Sequence, residues 1–75
     1  MKDQGMIIDR LNYFGLSRQE ATIYLCLLEN GSMNGYEVAK DTGISRSNVY
    51  SGLASLSDKG AANLMEGNPN RYIAV

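Results

Sequence analysis

At 75 residues the chain makes one small domain, with room for a layer of packed helices and little for a deep substrate pocket. Hydrophobic residues at 44% exclude disorder, and seven basic against eight acidic residues, net charge −1, count against a nucleic-acid binder that works by overall positive charge. One cysteine and no histidine exclude an internal disulfide, a paired-cysteine or histidine metal site, and the commonest general base near neutral pH.

Met6 to Phe14 reads as a short helix, with Ile7, Leu11 and Phe14 on one face and Gly15 as its stop. The clearest helix is Ser17 to Asn30. Ser17 and Glu20 have the spacing of a capping box, and Gly31 ends it. Ala21, Tyr24, Leu25 and Leu28 form one apolar face of this helix, and Ile23, Cys26 and Leu27 a second on nearly the opposite side. A helix apolar on both sides is expected to be covered on both, by the domain core and by helix Met6–Phe14 or a helix of a second protomer. A short helix from Asn34 to Thr42 follows, capped by Asn34 and Glu37, with Val38, Ala39 and Thr42 inward and Tyr36 and Lys40 sharing the outer face.

Gly43 breaks that helix, Ile44 is placed to plug the core, and Ser45 is placed to cap a helix running from Arg46 to about Lys59. Its buried stripe is Val49, Leu53 and Leu56; its outer face carries Ser47, Ser51, Ala54 and Asp58, flanked by Asn48 and Tyr50. Ala61 to Glu66 and Arg71 to Val75 read as strands joined by the turn formers Gly67, Asn68, Pro69 and Asn70. No apolar run approaches the roughly 20 residues that span a membrane, and the charged N-terminus lacks a signal peptide's apolar stretch. A reducing, cytoplasmic setting without membrane or cofactor is the expectation.

Two helices joined at a glycine turn, Asn34–Thr42 and Ser45–Lys59, make a helix-turn-helix, whose second helix enters a DNA major groove in the proteins that use it so. From Gly43 to Ser57 there is one positive charge, Arg46, and no acid, so this face is locally positive on an acidic body. Ser47, Ser51 and Ala54 are small enough for close approach to the groove floor. Arg46 has the geometry for a guanine edge or a phosphate, and Asn48 that for adenine. Free amides at Ser45 to Asn48 favour a phosphate. Tyr36 and Lys40 are candidate phosphate contacts from the first helix of the motif, and Asn68, Asn70 and Arg71 are candidate contacts from a hairpin wing. Against each stands a plainer reading: a solvated polar face, simple helix caps, a surface pair, and an ordinary turn in which Glu66 neutralises Arg71. Cys26 reads as a small buried hydrophobe, because no electropositive, exposed setting surrounds it.

Several runs resemble the TrmB-type sugar-responsive transcriptional regulators. They are Gly15-Leu16-Ser17, Glu20-Ala21, Tyr24-Leu25 with Leu27-Leu28, Ile44-Ser45-Arg46-Ser47-Asn48-Val49-Tyr50, Leu53 with Leu56, Lys59-Gly60 and Asn70-Arg71-Tyr72. The resemblance spans about Ile7 to Val75. It implies an α+β, mostly α, winged helix-turn-helix: an extra N-terminal helix (1–15), a three-helix core (17–60) and a β-hairpin wing (61–75). It also implies double-stranded DNA as partner, a homodimer, and a small-molecule effector only through a domain outside these residues. The family pattern carries more charge where Asn48, Ser51, Gly52 and Ala54 stand, so this recognition helix is unusually neutral. Leu25, Leu28, Val38, Ile44, Val49, Leu53 and Leu56 are the expected core. The alternative is a winged helix used for protein–protein contact; an enzyme is third, for want of histidine, metal spacing or a phosphate loop.

Overall fold

A computed structural model describes residues 15–75. The expected helix Met6–Phe14, and the packing and dimer roles expected of it, lie outside the described residues. Among those described, three helices and three strands follow one another: α1 (Arg18–Asn30), β1 (Met33–Asn34), α2 (Gly35–Thr42), α3 (Arg46–Asp58), β2 (Ala62–Met65) and β3 (Arg71–Ala74). This is a winged helix. The helices start where short polar side chains can satisfy their orphan amides. Ser17 and Glu20 form a reciprocal capping box on α1, Asn34 and Glu37 form one on α2, and the Ser45 hydroxyl accepts from the Asn48 amide at 3.4 Å on α3.

The wing is larger than the expected hairpin. β1 pairs antiparallel with β3, Met33 opposite Tyr72 and Asn34 opposite Arg71, giving a three-stranded sheet in the order β1-β3-β2. Two residues are too short to show a period of two, so this strand left no sequence signal. β2 pairs with β3 from Ala62 opposite Ala74 to Met65 opposite Arg71. Ala62 and Met33 are buried, and Tyr72 and Ala74 pack against the core from the same sheet face. The turn beyond carries a cis Asn68–Pro69 peptide, and the Gly67 amide donates to the Asn70 side-chain oxygen at 2.9 Å.

The core is built on Ile23, Leu27, Val38, Val49, Leu53 and Leu56, all fully buried. This corrects the expected orientation of α1. Ile23, Cys26 and Leu27 make the core face, while Leu25 is only partly buried and Leu28 is 53% exposed. The cause lies on α3. Gly52 is buried, and a Cβ there would stand 2.6 Å from Ile23 Cδ1. The missing side chain leaves a notch that Ile23 fills, so α1 turns that face inward and crosses α3 closely. Gly52 weakens the helix by roughly 0.5–1 kcal/mol relative to alanine, and this close crossing is what it permits. Ile44 is half-buried against the core, in the plugging position expected of it.

Candidate nucleic-acid interface

α2, the turn at Gly43 and α3 form the helix-turn-helix. Gly43 caps α2 in the left-handed conformation, φ 77°, which a side chain would resist. α3 buries Val49, Gly52, Leu53 and Leu56 and turns Ser47, Ser51, Ala54 and Asp58 to solvent. The solvent face begins with small uncharged groups and ends on an acid, so only its N-terminal half suits an anion. Arg46 and Tyr50, one turn apart, lie on the flank nearest α2, and Asn48 lies on the other flank.

The structure brings Tyr36, Arg46 and Tyr50 together. Arg46 Cζ sits over the Tyr36 ring, 5.7 Å from its centroid. Tyr36 and Lys40 are both exposed on the outer side of α2, as their spacing predicts, and the tyrosine also engages the next helix. The Tyr50 ring lies across the start of α2, where a Cβ on Gly35 would come within 2.8 Å of its hydroxyl. Gly35 is therefore a site residue that sequence reading missed; glycine at the first position of a helix carries no signal by itself. Tyr36 and Tyr50 remain 54% and 46% exposed.

Arg71 and Lys40 lie elsewhere, on an open cleft of about 580 Å³ that they share with Glu37 and Asp41. Arg71 donates to the Ser32 hydroxyl at 3.0 Å and the Ser32 carbonyl at 2.6 Å, and stands 3.3 Å from a Glu37 oxygen. Its acidic partner is thus Glu37, and the Glu66 pairing expected from the wing does not supply it. The cause is register: Arg71 opens β3 opposite Asn34, which places it beside the start of α2. Asn70 is exposed, and its side-chain oxygen accepts from the Gly67 amide to close the wing turn.

Away from this face, Lys59 at the end of α3 donates to Glu20 at 2.6 Å and to the Gly15 carbonyl at 2.7 Å. Burial pushes the Glu20 carboxyl up, but Lys59, Ser55 and the Ser17 amide outweigh it and hold it at about 2. Burial pushes the Cys26 thiol up to about 12, reinforced by Asp41, whose carboxylate accepts from it at 3.1 Å. Such a thiol is a packing group. Among the described residues no cluster of acidic side chains and cysteine gathers to hold a metal, and no helix is long and apolar enough to cross a membrane.

Comparison with known proteins agrees with this geometry. The family described as sugar-specific transcriptional regulator TrmB matches residues 11–75. TrmBL1 of Pyrococcus furiosus, an HTH-type sugar sensing transcriptional regulator, is 36% identical over 69 residues, 92% of this chain and 20% of its own length. The uncharacterized protein YrhO of Bacillus subtilis is 35% identical over 92% of this chain and 25% of its own. The chain therefore spans a fifth to a quarter of the length of these relatives. Among solved structures, TrmBL2, an archaeal chromatin protein with a novel mode of DNA binding, superposes with a TM-score of 0.89 at 28% identity, over 97% of this chain and 28% of that one. The Zalpha domain of Carassius auratus PKZ, solved in complex with Z-DNA, shares the fold at a TM-score of 0.74 and 22% identity, over 77% of this chain and 94% of that one. A winged helix-turn-helix matched along nearly its whole length by one regulator family identifies the chain: it belongs to the TrmB family of transcriptional regulators.

Proposed function

We propose that this domain binds double-stranded DNA sequence-specifically, with α3 in the major groove and the wing turn beside the backbone. The observation that carries the reading is the α3 N-terminal half: small exposed groups and one cation, without an acid, at the start of the second helix of a helix-turn-helix. TrmBL2 binds DNA and TrmBL1 regulates transcription, which supports it.

In this reading Ser45, Ser47, Arg46 and the α3 N-terminal amides meet phosphate, Asn48 meets a base edge, and Ser51 and Tyr50 fill the groove wall. Asn68 and Asn70 bring the wing turn to the backbone, while Arg71 holds the wing in place from behind. One protomer offers few cations, so useful affinity comes from a homodimer reading two half-sites. A response to a small-molecule effector is proposed only through sequence beyond these 75 residues.

The test is titration against mixed duplex DNA at about 50 and about 200 mM salt. Binding should weaken steeply with salt, and Arg46→Ala should weaken it further. No binding at low salt by a verified dimer would overturn the reading in favour of a protein-interaction module.

A further inference from the structure

We infer that Tyr36 is the positioning residue for Arg46: its ring holds the guanidinium in the place from which it reaches DNA. This rests on the DNA-binding reading above and adds a residue role to it. Arg46 is the first residue of α3, with no acid in the first turn and none between Gly43 and Ser57. No nearby carboxylate is available to orient it from its own helix. The ring of Tyr36 does so from α2, at 5.7 Å from the guanidinium carbon.

The ring is itself placed. The box of Asn34 and Glu37 fixes the first turn of α2, with bonds of 2.8 and 2.9 Å. The next residue, Gly35, lets the Tyr50 ring press directly on that turn. Tyr50 stands one turn after Arg46 on the same flank of α3, so the start of α2 and the arginine flank are locked face to face. Tyr36 follows Gly35 and comes to lie under Arg46 as a consequence.

A free arginine loses much side-chain freedom when it binds DNA. One already resting on a ring loses less, and the planar group keeps its edge open for two-pronged contact. An exposed contact of this kind corresponds to about two- to five-fold in an equilibrium constant.

Two readouts test this on the 75-residue chain. In the free protein, the Arg46 side-chain proton resonances should be shifted upfield by the ring, in wild type and in Tyr36→Phe, and return to ordinary values in Tyr36→Leu. With duplex DNA at low salt, Tyr36→Leu should weaken binding about two- to five-fold, Tyr36→Phe should retain it, and Tyr36→Leu added to Arg46→Ala should cost nothing further. Melting temperatures check that each variant is folded, as expected for an exposed side chain. The inference is overturned by an unshifted Arg46 in the free protein, by additive losses in the double variant, or by Tyr36→Phe binding as weakly as Tyr36→Leu, which would make the hydroxyl itself the contact. A wild-type dimer that binds no DNA overturns the underlying reading, and the free-protein spectrum still reports separately on the Tyr36–Arg46 contact.

Discussion

The capping boxes of α1 and α2 have nearly the same local geometry. Ser17 and Glu20 exchange bonds of 2.9 and 3.1 Å, and Asn34 and Glu37 exchange bonds of 2.9 and 2.8 Å. Each glutamate also meets a cation 34 or more residues along the chain, Lys59 for Glu20 and Arg71 for Glu37. The surroundings then diverge. The Glu20 side chain keeps 11% of its surface exposed and sits under the end of α3, whereas that of Glu37 keeps 44% beside an open cleft. A local motif thus sets the start of a helix, but its energetic weight depends on what the tertiary fold stacks over it. At α1 the box became a buried anchor of the three-helix core. At α2 it became a partly exposed junction that joins the helix-turn-helix to the wing.

The sharpest way to break this contrast is to remove each cation. Lys59→Met leaves a buried carboxylate without its partner and should cost about 2 kcal/mol, less than a fully buried pair because Lys59 is itself partly exposed. Arg71→Met should cost under about 1 kcal/mol from the ion pair, since both partners are partly exposed. Urea denaturation of the two variants measures the difference, and equal losses would mean that burial of Glu20 carries no weight.

Acid should expose the same asymmetry. The Glu20 carboxyl is held at about 2 in the folded chain against an ordinary 4.5, so the unfolded chain takes up the proton first. Its contribution is complete above about pH 5 and is lost as pH falls from about 4.5 towards 2, amounting to about 1–2 kcal/mol after allowance for the partly exposed lysine. Melting temperature followed by circular dichroism should fall over that window in wild type and fall less in Lys59→Met. A window unchanged by the substitution would assign the acid sensitivity to other carboxylates.

The caps themselves should be equivalent. Ser17→Ala and Asn34→Ala each remove one bond to a helix amide and should each cost about 1 kcal/mol. Matching losses by denaturation would place the contrast in the long-range partners, and a wide gap would place it in the boxes.

These elements also show which parts of the molecule were legible in the sequence. Both boxes, the Gly43 turn, the Val49, Leu53 and Leu56 stripe and the two longer strands rest on spacings within one segment, and all appear in the structure. What depended on a partner far along the chain was not legible. α1 offered two apolar faces, and the choice of Ile23, Cys26 and Leu27 as the core face goes with a notch at Gly52 on another helix, which Ile23 fills. The two-residue β1 exists only because β3 lies beside it. At the candidate site, the residue types on α3 were legible, but the Tyr36–Arg46 contact and the seat of Tyr50 on Gly35 needed the crossing of two helices.

The smallest predicted effect concerns the two arginines that the sequence offered to DNA alike. Arg46 stands at the exposed start of α3, over an aromatic ring, while Arg71 is engaged with both oxygens of Ser32 and with Glu37. An arginine so engaged cannot release a DNA counterion without breaking contacts of its own. On the DNA-binding reading, Arg46→Ala should lower the slope of log affinity against log salt by about 1, and Arg71→Met should leave it within about 0.3 of wild type. A slope lowered equally by both would mean that Arg71 leaves Ser32 and Glu37 for the phosphate backbone when DNA arrives. The wing base would then be a switch point of the domain, and the weaker hold on the α2 box the condition for its movement.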